Sequence, residues 1–210
     1  MVEDASPPAP ALDADTENRI LAAAHAVFTR RGTHGARMQE IADEAGVNKA
    51  LLHYYFRSKE RLAEAVFGRA AGQLLPRIFQ VLGSAAPLEE KVREVVEVET
   101  DFMLERPYLP GYVLGEANFN PDLIRRVLEG RGRPPIGALQ AQLDAAAQGG
   151  RLRPTDAEQF LVNLLSLILF PFVARPMMGM LLGMDDERWR AFVLERRGWL
   201  ADFLLDALRP

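Results

Sequence analysis

Between Gly46 and Glu60 the chain reads GVNKALLHYYFRSKE, and the chemistry this run can do is charge and hydrogen bonding rather than bond making. On a helix each residue advances about 100°. With Leu52 taken as the inward direction, Phe56 and Asn48 fall within about 40° of it, whereas Ala50 and Tyr54 point about 160° away. His53 and Lys49 lie on one flank and Leu51 on the other. The helix therefore has an anchored face and an offered face. The offered face joins a small residue that permits close approach to a cation and two rings with hydrogen-bonding tips. That set suits a DNA major groove, where such side chains reach base edges and the thymine methyl. Tyr55, about 60° from Leu52, is equally suited to packing and to touching a phosphate. The plainer reading makes HYYF an aromatic core cluster and the lysines solvated surface; for Leu52 and Phe56 that reading holds.

Charge is distributed to match. The 210-residue chain carries a net −4, yet from Arg19 to Arg61 eight cations face four carboxylates, a local +4, and the remainder sums to −8. A polyanion is favoured at one end only. Enzymatic chemistry finds little support. There is no cysteine, which excludes disulfides and thiolate catalysis and favours a cytoplasmic home. The three histidines, His25, His34 and His53, all fall in the first quarter, and no glycine-rich phosphate loop or metal-ligand cluster is visible. No catalytic residue, metal or cofactor is assigned.

The elements that must position these residues read as helices throughout, so the fold class is all-α. Residues 1–14, acidic and rich in Pro and Ala, read as a disordered leader without the basic start and apolar run of a signal peptide. Thr16 is placed to cap a first helix carrying Ile20, Ala24, Val27 and Phe28 at helical spacing, with Gly32 near its end. Two short helices, Met38 to Glu44 and Asn48 to Phe56, are separated only by AGV, a helix-turn-helix arrangement. Ser58 caps a longer helix that Pro76 should kink or end. Leu88 to Arg106, Pro121 to Glu129 and Pro135 to Gln148 follow. TDAE at Thr155 to Glu158 reads as a capping box opening an apolar helix, and Asp185 or Asp186 starts the last one. The most apolar stretch, Phe160 to Met178, contains Asn163, Ser166, two prolines and Arg175, too broken for the ~20 residues of a membrane span. Its segment from Phe160 to Phe172 is apolar around nearly the whole circumference, which calls for burial on more than one side.

Arg19 to Leu62, RILAAAHAVFTRRGTHGARMQEIADEAGVNKALLHYYFRSKERL, resembles the DNA-binding domain of the TetR family of bacterial transcriptional regulators. The match lies in the helix, the AGV turn, the next helix, YF and SKE. The resemblance implies a helix-turn-helix DNA-binding domain over 15–62 and a larger ligand-binding and dimerisation domain over 63–210. It implies that Lys49, Ala50, Leu51, His53 and Tyr54 face the groove and that Tyr55 and Lys59 hold backbone phosphates. It further implies a homodimer through the last two long helices, a palindromic double-stranded operator, and a small-molecule inducer that releases a repressor. Two departures stand out. Where family members carry Thr or Ser before the second helix, this chain has Ala36 and Arg37, so Arg37 takes over the phosphate contact and the cap is lost. Leu51 and His53 replace the residues frequent there, so the operator sequence cannot be borrowed. The alternative is a helical protein-interaction module that keeps the fold without specific DNA binding.

Within Leu88 to Arg106, the apolar stripe Leu88, Val92, Val95, Val96, Phe102 and Met103 is centred within about 20° of Glu99. Glu94, Glu97 and Asp101 take the opposite, solvated side. An inward carboxylate must be paired or neutralised. Three arrangements satisfy that: an internal partner such as Arg125, Arg126 or Arg175, a position near the subunit edge with solvent access, or a binding site. In the last, Phe102, Met103, Tyr108, Tyr112 and Phe119 serve as walls.

Overall fold

The structure, a computed structural model, describes residues 13–119 and 121–210, and among them it contains eleven α-helices and no strand. The chain divides into two compact units, one ending at Val66 and the other beginning at Phe67. Of the leader expected over 1–14, residues 1–12 lie outside the described residues.

The first unit is built from α1 (Ala14–Gly35), α2 (Met38–Ala45), α3 (Lys49–Tyr55) and the opening turns of α4 (Lys59–Gly83). Asp13, rather than Thr16, caps α1: its carboxylate accepts the Asp15 N–H at 3.1 Å, and Thr16 donates its hydroxyl to the same side chain. The helix therefore starts inside the expected leader. A kink at Gly32, with φ 67°, interrupts α1 before it closes at Ala36. Ile20, Ala24, Val27 and Phe28 of α1, Ile41 and Ala42 of α2, Leu52 of α3 and Leu62 of α4 form a core from which water is excluded. Burying an aliphatic or phenyl side chain of this size contributes about 1.5–3 kcal/mol, so this core holds α2 and α3, two short helices that could not persist alone.

The second unit contains the rest of α4, α5 (Leu88–Glu105), α6 (Leu109–Phe119), α7 (Pro121–Leu128), α8 (Ile136–Gln148), α9 (Ala157–Val173), α10 (Arg175–Leu182) and α11 (Asp186–Asp206). Its main core brings Val92, Val95 and Val96 of α5 together with Leu139 and Leu143 of α8, Phe160 and Leu164 of α9, and Leu200 and Leu204 of α11. Pro76 does not end α4, which runs on to Gly83. The α9 cap is Asp156, accepting the Gln159 N–H at 2.9 Å, while Thr155 turns its hydroxyl to the Arg153 carbonyl. Asp185 caps α11 as expected. Lys91, fully buried, donates from Nζ to the Leu82 carbonyl at 2.9 Å, placing a cation on the negative end of α4. Among the described residues no single helix is long and apolar enough to cross a membrane; α9 and α10 together are, but they meet at a 68° bend.

Candidate nucleic-acid interface and buried-carboxylate cavity

The turn between α2 and α3 is fixed by two devices. Gly46 adopts φ 64°, a left-handed conformation that suits glycine, and its N–H closes α2 onto the Ala42 and Asp43 carbonyls. Arg19 reaches across from α1 and donates from Nη2 to the Ala45 carbonyl at 2.8 Å and the Gly46 carbonyl at 3.3 Å. Asn48 then caps α3, accepting the Leu51 N–H at 2.7 Å. Leu52 and Phe56 are buried, and α3 is locked in rotation by them.

What α3 leaves outside is Lys49, Ala50, His53 and Tyr54, all exposed, with Leu51 half-buried at the margin. His53 Nδ1 lies 3.4 Å from the Arg57 carbonyl, which orients the ring, and Tyr54 meets Tyr55 edge-on at 5.9 Å between centroids. Arg37 is exposed at the N-cap of α2 and makes no capping bond through its side chain, so that end of α2 lacks a side-chain cap. Two further residues have internal duties. The Tyr55 hydroxyl accepts the Asp13 N–H at 2.8 Å and donates to the Asp13 carbonyl, and Lys59 donates to the His34 and Ala36 carbonyls at 3.0 and 3.3 Å. Both side chains tie the start and end of α1 to the rest of the unit, a duty that sequence spacing does not reveal because the carbonyls they meet lie 23 to 42 positions away.

Glu99 is where its spacing placed it, inward on α5 and 4% exposed. Burial pushes its carboxyl up to about 7, and Oε2 has no hydrogen-bond partner. Two of the expected internal partners are engaged elsewhere: Arg175 pairs with Asp186 at 2.6 Å and lies over the Trp189 ring, and Arg125 pairs with Asp122 at 3.1 Å. Glu99 instead lines a cavity of about 830 Å³ whose walls are largely apolar, with Leu74, Ile78, Phe79 and Leu82 from α4 and Leu161 and Leu165 from α9. Arg125, Leu128, Glu129 and Arg133 form its exposed side.

The wall residues named from the sequence do not gather around Glu99. Phe102 lines a separate polar cleft with Glu94, Glu97 and Asp101 and carries the Arg106 guanidinium 4.0 Å above its ring. Met103 is packed into the main core. Tyr108 and Tyr112 pack on a smaller cluster built from Phe67, Ala70, Ala71, Leu109 and Val127, where burial pushes the Tyr108 hydroxyl up. Phe119 is 91% exposed. The walls come from α4 and α9, helices whose neighbours to α5 are set by tertiary packing rather than by periodicity.

A three-helix unit that anchors a short helix by Leu52 and Phe56 and offers its other face is a helix-turn-helix DNA-binding head. Residues 20–66 match the family model described as bacterial regulatory proteins, tetR family. The chain is 38% identical over 89 residues to the HTH-type transcriptional activator FasR of Mycolicibacterium smegmatis, covering 42% of this chain and 41% of that protein. It is 29% identical over 142 residues to the HTH-type transcriptional regulator RutR of Escherichia coli, covering 68% and 66%. The matches thus span less than two thirds of the length of these curated relatives. The transcriptional regulator FadR from Bacillus subtilis, solved in complex with stearoyl-CoA, has the same fold over 91% of this chain and 99% of that one, with a TM-score of 0.62 and 18% identity. Residues 20–66 thus carry a DNA-binding head of the tetR type, and the relatives matched here are named transcriptional regulators.

Proposed function

We propose that this chain is a dimeric, ligand-responsive transcriptional regulator that binds a palindromic operator through α3 and is released from it by a small molecule. The observation that carries the reading is the α3 surface: Leu52 and Phe56 fix the helix, and Lys49, Ala50, His53 and Tyr54 stand outward with no core role. Lys49 and Arg37 supply phosphate or base-edge donors, Ala50 and Leu51 suit a thymine methyl, and the His53 and Tyr54 tips reach base edges.

Dimerisation is supported by α9 and α11. The buried stripe of α9 is Phe160, Leu164, Ile168 and Phe172, but Val162 and Phe170 on its other side are 58% and 54% exposed, as are Trp199 at 40% and Phe203 at 54% on α11. A second copy of the chain covers these residues and sets two heads about 34 Å apart, the spacing of successive major grooves. The cavity beside Glu99 is the effector site in this reading. Ligand and operator then weaken each other reciprocally, and the sense of regulation is repression lifted by the ligand. Work on DNA places the protein in the cytoplasm.

Fluorescence anisotropy with the DNA flanking the protein's own gene, at two salt concentrations and beside a scrambled duplex, tests the reading. Palindrome-dependent binding that weakens with salt is expected. Equal, feeble binding to that DNA, to the scrambled duplex and to fragments selected from the genome, by folded dimeric protein, would overturn it in favour of an interaction module.

A further inference from the structure

The cavity beside Glu99 has one buried ionisable group and it is an acid. Its inner walls, from α4 and α9, carry no charge: Leu74, Ile78, Leu82, Leu161 and Leu165 line it together with Glu99. The cations and the second acid, Arg125, Arg133 and Glu129, are exposed at the rim, and Arg125 is paired with Asp122. The rim therefore has no dominant sign, whereas the one ionisable group of the interior is an acid. A buried polar atom is ordinarily hydrogen-bonded, and a group left without a partner calls for an explanation. Glu99 Oε2 is such an atom, on a side chain that lines a cleft, open on one side, large enough for a drug-sized molecule.

We infer that this cavity takes an apolar molecule bearing a protonated amine, whose N–H groups meet the Glu99 carboxylate while its hydrocarbon body lies against α4 and α9. The identification deepens the effector-site reading given above and rests on it for its consequence on DNA. A ligand carboxylate entering the same chamber would bring a second acid towards Glu99 or stay at the mixed rim. An alcohol supplies the hydrogen bond without the charge. A cationic donor satisfies the unpaired oxygen and, by favouring ionisation of the buried carboxyl, adds an attraction that neither of the others supplies.

A proton is linked to this event. Burial holds the Glu99 carboxyl at about 7, and an ammonium beside it favours ionisation, so binding releases a proton near neutral pH and strengthens as pH rises. The other charged groups near α5 do not compete for this role. Lys91 points to the Leu82 carbonyl, Arg197 of α11 to Asp101 and Arg93 to Asp202 of α11, while Arg125, Glu129 and Arg133 stay exposed and no histidine lies in this unit.

Isothermal titration calorimetry of the full chain with dodecylamine, 1-dodecanol and dodecanoate, each below its aggregation concentration, at pH 6 and pH 8 in two buffers, tests the assignment. At pH 8 the amine is expected to bind at least about tenfold more tightly than either analogue, a difference of about 1.4 kcal/mol. Its affinity should fall at pH 6, with buffer-dependent heat reporting the released proton. Glu99→Gln, checked for folding by circular dichroism, should erase both the preference and the pH dependence; Leu128→Trp, on the exposed wall, should weaken all three ligands. Tighter binding of dodecanoate, an amine preference that survives in Glu99→Gln, or no amine binding at all would overturn the assignment. Operator anisotropy on the same samples separates the two readings: lost amine binding with intact operator binding removes only this site, and the converse removes only the regulator.

Discussion

Single residues carry the two chemistries proposed for this chain, those of α3 outside the core and Glu99 within it. Lys49→Ala and His53→Ala, both on the exposed face of α3, should leave the thermal midpoint unchanged and weaken operator binding by about 1–3 kcal/mol each where a base edge is read; anisotropy beside a melting curve checks this. Glu99 gives the opposite pattern, a stability effect set by pH. Folded, it keeps its proton up to about 7, whereas the ordinary carboxyl releases it near 4.5, so between these values the folded chain binds more protons and stability falls as pH rises. Glu99→Gln should therefore match the parent below about pH 5 and exceed it by up to about 3 kcal/mol at pH 8, seen as a shift in denaturant midpoint at pH 8 alone. The inward aim of Glu99 was legible in the 3.6-residue period of α5. Its walls were not, because periodicity names a face of one helix and is silent on which helix arrives opposite. Tyr55 and Lys59 illustrate the same limit: the family resemblance suggested phosphate contacts for both, but spacing could not show the distant Asp13, His34 and Ala36 main-chain groups that hold them.

At the scale of elements, the head depends on the joint between α2 and α3. Gly46→Ala puts a Cβ into a left-handed residue, a cost of roughly 1–2 kcal/mol, and brings it to 3.5 Å from the Arg19 guanidinium that clamps the same turn. Asn48→Ala removes the cap of α3 for about 1 kcal/mol. Both variants should lower the unfolding midpoint and operator affinity together, unlike the changes on the α3 surface, as parallel melting and anisotropy will show. Most helices were legible from spacing and breakers, and AGV in particular announced this joint. Starts were less so. Asp13 displaced Thr16 and Asp156 displaced Thr155 as caps because two potential acceptors stood close together in sequence, and the choice falls to the residue whose backbone is extended at the right step. Pro76 within α4 shows a helix continuing where tertiary packing outweighs a local breaker.

For the whole molecule, the exposed apolar residues of α9 and α11 are the main unfinished business of the fold. Phe203→Glu, at a site 54% exposed and edge-on to Trp199, should leave the helical content intact but shift the chain from dimer to monomer in sedimentation velocity, with loss of tight operator binding. All-α architecture and a charge-segregated head were visible in composition and patterning; the expected all-round burial of α9 was half met within one chain, and the other half points outward. The charge of the head has a sharper consequence. Of its eight cations, Arg30, Arg31 and Arg61 pair with Glu44, Glu40 and Glu64, and Arg19 and Lys59 serve main-chain carbonyls, leaving Arg37, Lys49 and Arg57 outward. Two heads thus bring roughly six cations to the duplex, and at about 0.9 counterions released per phosphate the logarithm of affinity should fall with the logarithm of salt at a slope near −5, far shallower than a count of the basic residues would suggest.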